Sequence, residues 1–151
     1  MRKIERIVLH CSGSDRPEDN SVQAIRHLHT AGPDERIQWG TYRTFGRGWK
    51  DIGYHWVVTT DGTVWPGRPV HEIGAHCEGH NQDSIGICVC GNAEFLPHQM
   101  QALADLVIGL MDEYKISVYN IYGHCELNSY KTCPNFNVKG FLKWAMPKSA
   151  I

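Results

Sequence analysis

The sequence predicts an α/β fold in which a mixed central β-sheet is flanked by helices. Short apolar runs typical of strands are interspersed along the chain with segments whose apolar residues repeat at helical spacing. The pair Asp61-Gly62 lies between two strand-like runs and is a strong hairpin signal, so we expect part of the sheet to be antiparallel. A length of 151 residues suits one core, and we expect a single domain over residues 1–151.

The first strand and the first helix are predicted near the N-terminus. The run IERIVL at residues 4–9 indicates a strand with a buried end, which places His10 just past its C-terminal edge. Asn20 or Ser21 can cap a helix over residues 22–29, where apolar side chains recur at helical spacing. We therefore expect His10 at an edge of the sheet.

A long stretch without regular spacing follows this helix. Residues 31–53 are rich in glycine, arginine and aromatic residues, and we predict an irregular segment there. Loops of this length in a compact domain are uncommon and often functional. Residues 54–60 and 63–66 then form the two arms of the predicted hairpin.

The second half of the chain alternates between strands and helices. The continuous apolar run at residues 84–90 predicts a strand that is buried on both faces. The longest helix is predicted from residue 97 to about residue 114, with a stripe of Met and Leu side chains that suits core packing. A short strand over residues 118–122 and a short helix over residues 138–144 complete the prediction.

The overall charge disfavours two classes of partner. The formal net charge is -1 and the calculated pI is about 6.7, so no net field attracts the chain to nucleic acid or to an anionic membrane. One loop interleaves Arg43, Arg47 and Lys50 with aromatic residues, but a wider basic face is lacking, and we expect no nucleic-acid binding. No apolar run approaches the roughly 18 residues of a membrane span.

The six cysteines are expected to be free thiols. The N-terminal residues lack the apolar stretch and small-residue cleavage site of a secretory signal, so we expect synthesis in a reducing cytoplasm. Cys88 and Cys90 lie in an apolar run and are expected to pack as small hydrophobic side chains.

One set of residues suggests a metal site. Two imidazoles and one thiolate, from His10, His124 and Cys133, can hold zinc while leaving its fourth position free for water. The long gap from His10 to His124 does not match a zinc finger, in which ligands come in short pairs. If His10 and His124 follow neighbouring strands, their side chains converge, and the loop containing Cys133 needs only to fold back over them. Taken singly, each residue has an ordinary structural explanation.

Four sequence blocks resemble one enzyme family. They are LHCSGS, DIGYHWVVTTDGTV, GAHCEGHNQDSIGIC and GHCELNSYKTCPNF. Together they are similar to the zinc-dependent N-acetylmuramoyl-L-alanine amidases, the family that small phage endolysins share with peptidoglycan recognition proteins. The blocks follow the family's order and span about residues 7 to 136. The resemblance is strongest to the compact phage-type enzymes and implies the fold of that family.

The resemblance also implies site residues. One zinc ion per chain would be bound by His10, His124 and Cys133. The catalytic tyrosine and lysine of the family correspond to Tyr54 and Lys131. A tyrosine hydroxyl can orient or help deprotonate the attacking water, and a lysine ammonium can stabilise the oxyanion that forms on the carbonyl.

Two further residues border the cleft by the same resemblance. His76, in the block GAH, and Asn81, in the block GHN, are assigned to substrate binding, and His76 is also a candidate for a supporting role behind the ligands. His55 should point away from Tyr54 because neighbouring side chains alternate along a strand, and we interpret it as structural.

We therefore expect a monomeric zinc hydrolase that cleaves the amide bond between N-acetylmuramic acid and L-alanine in bacterial peptidoglycan. A phage endolysin would reach this substrate after release through a phage-encoded membrane pore. Three alternatives stay open: a cytoplasmic amidase that recycles soluble muropeptides, a recognition module without catalysis, and a cysteine hydrolase that uses Cys133 with His124. The recognition module is disfavoured because non-catalytic receptors of the family lack the cysteine ligand.

Overall fold

The computed structural model describes residues 1–147. The strands of this part of the chain are β1 Arg6–Cys11, β2 Arg36–Trp39, β3 Tyr42–Phe45, β4 Trp56–Val58, β5 Val64–Pro66, β6 Ser84–Val89 and β7 Ile121–Gly123. Its α-helices are α1 Val22–Thr30, α2 Pro97–Tyr114, α3 His124–Leu127 and α4 Val138–Ala145, and short 3-10 helices cover Pro17–Asp19 and Val118–Asn120. None of the helices within residues 1–147 is long and apolar enough to span a bilayer.

Five of the strands form the mixed central sheet that the sequence predicts. Their order is β5-β4-β6-β1-β7, while β2 and β3 form a separate two-stranded sheet. β1 pairs in parallel with both β6 and β7, and β4 also pairs in parallel with β6. Only β5 is antiparallel to its neighbour in this sheet, because the turn at Asp61-Gly62 reverses the chain between β4 and β5.

Helices cover both faces of the central sheet. On one face, α2 and α4 pack against alternate residues of the inner strands, which include Ile7, Leu9 and Ile87. On the other face, α1 contributes Val22, Ile25 and Leu28 to a second cluster, which also contains Cys88 and Cys90. Since side chains alternate along a strand, His10 lies on the same face as this second cluster.

The strand and helix at the start of the chain lie close to their predicted positions. β1 continues to Cys11, so His10 lies inside the strand rather than just past its edge, because β6 keeps pairing as far as Val89 opposite Cys11. Helix α1 is capped by Ser21, whose hydroxyl accepts a hydrogen bond from the Ala24 backbone amide at 3.0 Å.

Two predictions of local structure were wrong in part. Residues 31–53 are not wholly irregular, because β2 and β3 form a hairpin there, with Gly40 in the left-handed region at the turn (φ 59°). The strand predicted over residues 118–122 begins only at Ile121, because the chain first forms a 3-10 turn that is capped by the hydroxyl of Ser117. The single helical turn α3, which begins at His124, was not predicted.

Buried polar side chains support the loops beside β4. His55 is 1% exposed; its Nδ1 accepts a hydrogen bond from the Gly86 amide at 3.0 Å, and its Nε2 donates to the Glu72 carbonyl at 2.9 Å. Burial, with help from nearby arginines, lowers the pKa of His55 to about 4, against a weaker opposing effect of the Glu72 bond. His55 is therefore neutral at pH 7 and serves the fold.

This burial predicts acid sensitivity. Between about pH 6.5 and pH 4 the unfolded chain binds a proton at residue 55 that the folded chain does not, so the free energy of unfolding should fall as the pH falls. The full effect is on the order of 3 kcal/mol. Urea unfolding at pH 7 and pH 4.5, with a chelator present, should show a smaller loss for His55→Gln than for the wild type. An equal loss in both proteins would contradict the prediction, and His71→Gln, at an exposed position, is the control.

Candidate active site

The parallel pairing of β1 with β7 brings two histidines together. The register places Leu9 beside Gly123. His10 and His124 are the next residues of the two segments, so they lie side by side at the same edge of the sheet. His124 begins α3 directly after β7. The loop after α3 folds back, and its position is held by a hydrogen bond of 2.9 Å from the Cys125 amide to the Cys133 carbonyl.

Three ligand atoms meet at this edge. The Nδ1 atoms of His10 and His124 are 3.1 Å apart, and the Sγ atom of Cys133 lies 3.3 Å from Nδ1 of His124 and 3.9 Å from Nδ1 of His10. Tetrahedral zinc with ordinary bond lengths separates two nitrogens by about 3.3 Å and a nitrogen from a sulfur by about 3.6 Å. The donor atoms therefore fit a zinc ion, and a set of three leaves one position open.

The electrostatics of the three residues suit metal binding. Burial lowers the pKa of His10, although its hydrogen bond to Cys133 opposes this, so its imidazole is neutral. The pKa of Cys133 lies well below its usual range, because a hydrogen bond from the Cys11 thiol, and then those with His10 and His124, outweigh burial. Burial also lowers the pKa of His124, but the bonds with Cys133 and Cys77 outweigh it and raise the pKa to about 9. Cys133 is thus a thiolate, the form that binds zinc.

A cleft lies beside the three proposed ligand residues. One cavity, of about 500 Å³, is lined by Tyr54, His76, Asn81, His124 and Lys131, among others. A second, of about 360 Å³, is lined by Cys133 and again by Tyr54, His124 and Lys131. The ring of Tyr54 lies 5.1 Å from the ring of His10. Six of the seven residues that the sequence singled out line these two cavities, and the seventh, His10, is buried directly behind Tyr54 and His124.

His76 and Asn81 make contacts within the protein as well as lining the cleft. Asn81 Oδ1 accepts hydrogen bonds from the backbone amides of His76 and Cys77, both at 2.9 Å. His76 is 9% exposed, and its ring hydrogen bonds to His10. Their assignment to substrate binding stays a prediction.

Several residues that line the cleft were not predicted as site residues. His29, Arg47 and Trp49 border the larger cavity, and His29 and Arg47 also border the smaller one. Nδ1 of His29 accepts a hydrogen bond from the Gly53 amide at 2.9 Å, which fixes the backbone just before Tyr54. A histidine on the apolar stripe of a predicted helix was the available signal for His29, since a buried imidazole needs a polar partner.

Comparison with known proteins agrees with this geometry. A family model described as N-acetylmuramoyl-L-alanine amidase matches residues 1–136. The chain belongs to this amidase family. It is 34% identical to the endolysin of Enterobacteria phage T3 and 33% identical to that of Escherichia phage T7, in each case over 143 residues that cover 89% of this chain and 83% of the relative.

Solved structures give the same result for the fold. The amidase LysC from Clostridium intestinale URNW superimposes with a TM-score of 0.76 at 28% identity, covering 95% of this chain and 85% of that chain. The predicted fold class, family and enzymatic activity are thereby confirmed. The chain is a phage-type N-acetylmuramoyl-L-alanine amidase, and its family is generally zinc-dependent.

The thiolate character of Cys133 leads to a test by alkylation. In the metal-free amidase iodoacetamide should modify Cys133 readily, whereas added zinc should slow this reaction by at least about tenfold, because a coordinated thiolate is a poor nucleophile. Peptide mass mapping gives the extent of modification at each cysteine. The exposed Cys125 is the internal control and should react equally with and without zinc. Equal protection of both cysteines, or of neither, would contradict the site.

Proposed function

We propose that the amidase binds one zinc ion through His10, His124 and Cys133 and cleaves the amide bond between N-acetylmuramic acid and L-alanine in peptidoglycan. The observation that carries this proposal is the meeting of three ligand atoms, all within 4.8 Å of one another, beside the cleft. Zinc in such a site lowers the pKa of a coordinated water to about 7 and polarises the carbonyl that is attacked.

Lys131 is proposed to stabilise the negative charge that develops on the carbonyl oxygen. It lines both cavities beside His124. None of the ion pairs formed among residues 1–147 involves Lys131. Its ammonium group is therefore free to interact with an oxyanion.

Tyr54 is proposed to orient the attacking water. Burial, and then the nearby cysteine thiols, raise the pKa of Tyr54 well above its usual value. The phenol therefore keeps its proton at neutral pH and acts as a hydrogen-bond donor rather than as a base. Its ring contacts His10, so the hydroxyl is carried by a side chain that is fixed next to a proposed ligand.

His76 and Asn81 are the sequence-predicted substrate contacts. Both line the larger cavity. Because Asn81 Oδ1 already accepts two backbone hydrogen bonds, its amide nitrogen is the atom left for a substrate. We propose this contact for Asn81 and argue a different role for His76 below.

Similarity to phage endolysins leads us to propose that the substrate is the intact sacculus, reached after release through a phage-encoded pore, and that the amidase acts as a monomer. A recycling enzyme would prefer soluble muropeptides. Turnover on purified sacculi, compared with turnover on a purified muropeptide, separates the two functions, since a strong preference for the muropeptide would support recycling.

Removal of the metal gives the most direct test of the site. Chelation should abolish the release of L-alanine amino termini from peptidoglycan, and addition of zinc should restore it. Elemental analysis should find one zinc per wild-type chain, and Cys133→Ser should bind zinc far more weakly. Cys125→Ser, at the exposed neighbouring cysteine, should keep both zinc and activity. A Cys133→Ser protein that retains full activity would falsify the ligand assignment.

Variants of Lys131 and Tyr54 should lower kcat without loss of zinc, which distinguishes these residues from the proposed metal ligands. Lys131→Met should lower kcat by roughly 10²–10³-fold, as for the loss of an oxyanion-stabilising group, and Tyr54→Phe should lower it by roughly 10²-fold. Both variants should still bind one zinc, as measured by elemental analysis. Lys139→Met, on the exposed side of α4, is the control and should be as active as the wild type. Loss of zinc in either active-site variant would point to a structural role instead.

A further inference from the structure

We propose that His76 is a positioning residue that fixes the orientation and the tautomer of His10, with Ser84 holding His76 in turn. This inference rests on the proposed zinc site and adds to it a supporting layer. It assigns to His76 a function within the protein, in place of substrate contact through its ring nitrogens. It also assigns a function to Ser84, which no sequence pattern had singled out.

The evidence is a continuous line of hydrogen bonds behind the ligand. Nε2 of His10 lies 2.9 Å from Nδ1 of His76, and Nε2 of His76 lies 3.1 Å from the hydroxyl of Ser84. His10 is 1% exposed and Ser84 is fully buried. Both ring nitrogens of His76 are thus engaged by the protein.

The direction of each hydrogen bond along this line follows from which nitrogen of His10 would bind the metal. Nδ1 of His10 faces His124 and Cys133, so a metal-binding His10 carries its proton on Nε2. This proton is donated to Nδ1 of His76, which leaves the proton of His76 on Nε2 and directs it to the Ser84 oxygen. Each ring N–H along the line therefore has an acceptor, and the line accommodates the neutral tautomer that a metal-binding His10 requires.

The backbone around His76 forms a socket for its ring. A Cβ atom added at Gly86 would lie 2.5 Å from two ring carbons of His76, and one added at Gly74 would lie 2.9 Å from a ring carbon. Gly86 lies in the middle of β6, where its backbone conformation is open to any residue and glycine weakens a strand. Space for the imidazole is therefore the reason for glycine at this position.

The backbone of His76 is held independently of its ring. The amide of His76 donates to Asn81 Oδ1, as does the amide of Cys77. The ring thus projects from a fixed segment into the socket and reaches His10 from behind. Loss of such a supporting hydrogen bond typically weakens metal affinity by about 10- to 100-fold.

The test compares zinc affinities in the absence of substrate. The dissociation constant of zinc is measured by competition with a chromophoric chelator for the wild type, His76→Leu and His76→Gln. We expect about 10- to 100-fold weaker binding for His76→Leu. His76→Gln should recover most of the affinity, since its amide can accept from His10 and donate to Ser84. His71→Leu, at an exposed histidine of the same segment, should bind like the wild type.

Two further measurements separate positioning from general stability. The absorption spectrum of cobalt-substituted His76→Leu should show altered d–d bands while the thiolate charge-transfer band of Cys133 persists. The thermal midpoints of the metal-free proteins should be equal for His76→Leu and His76→Gln, although their affinities differ. Ser84→Ala and Gly86→Ala should each weaken zinc binding, because the first removes the support of the ring and the second occupies its socket.

The outcomes distinguish this inference from the proposed metal site. A wild-type protein that binds no zinc would refute the site itself. A wild type that binds zinc, together with a His76→Leu variant of equal affinity and an unchanged cobalt spectrum, would overturn the positioning role alone. Equal weakening in His76→Leu and His76→Gln, in step with lower thermal midpoints, would also overturn it, because a merely structural role predicts that pattern.

Discussion

The parallel pairing of β1 with β7 is the constraint on which the site depends. His10 and His124 are far apart in the sequence, and only the register that places Leu9 beside Gly123 brings their Nδ1 atoms to 3.1 Å. A slip of one residue would turn the side chain of His10 to the opposite face of the sheet. β6, on the other side of β1, holds the register through six residue pairs.

Burial sets the protonation state of most imidazoles in and around the site. It lowers the pKa of His10, His29, His55 and His76, so these imidazoles stay neutral near pH 7. Only His124 differs, because its bonds to Cys133 and Cys77 outweigh burial and raise its pKa to about 9. A divalent cation that replaced the proton of His124 would interact with neutral nitrogens and one thiolate, so the site would keep a net positive charge that could polarise a substrate.

The sequence predicted the core strands better than the edges of the fold. Residues 84–90 and α2 were recognisable because their apolar pattern reflects burial directly. The β2–β3 hairpin was missed because each of its strands has only four residues and most of their side chains are exposed. Residue types and the family resemblance suggested the three proposed ligands, whose donor atoms the fold brings together, but the contact of His29 could not be predicted, since its partner Gly53 lies 24 residues away.

One strand shows how the fold accommodates both a core and a polar site. In β6, the large residues Ile85, Ile87 and Val89 face α2. The intervening residues are small. Ser84 and Gly86 contact the ring of His76, and Cys88 packs beside Tyr54. A strand without a polar side chain after its first residue therefore alternates in side-chain size with a period of two, because one face needs volume and the other must leave room for aromatic and imidazole rings. Hydrophobicity alone does not reveal this alternation, whereas side-chain volume does.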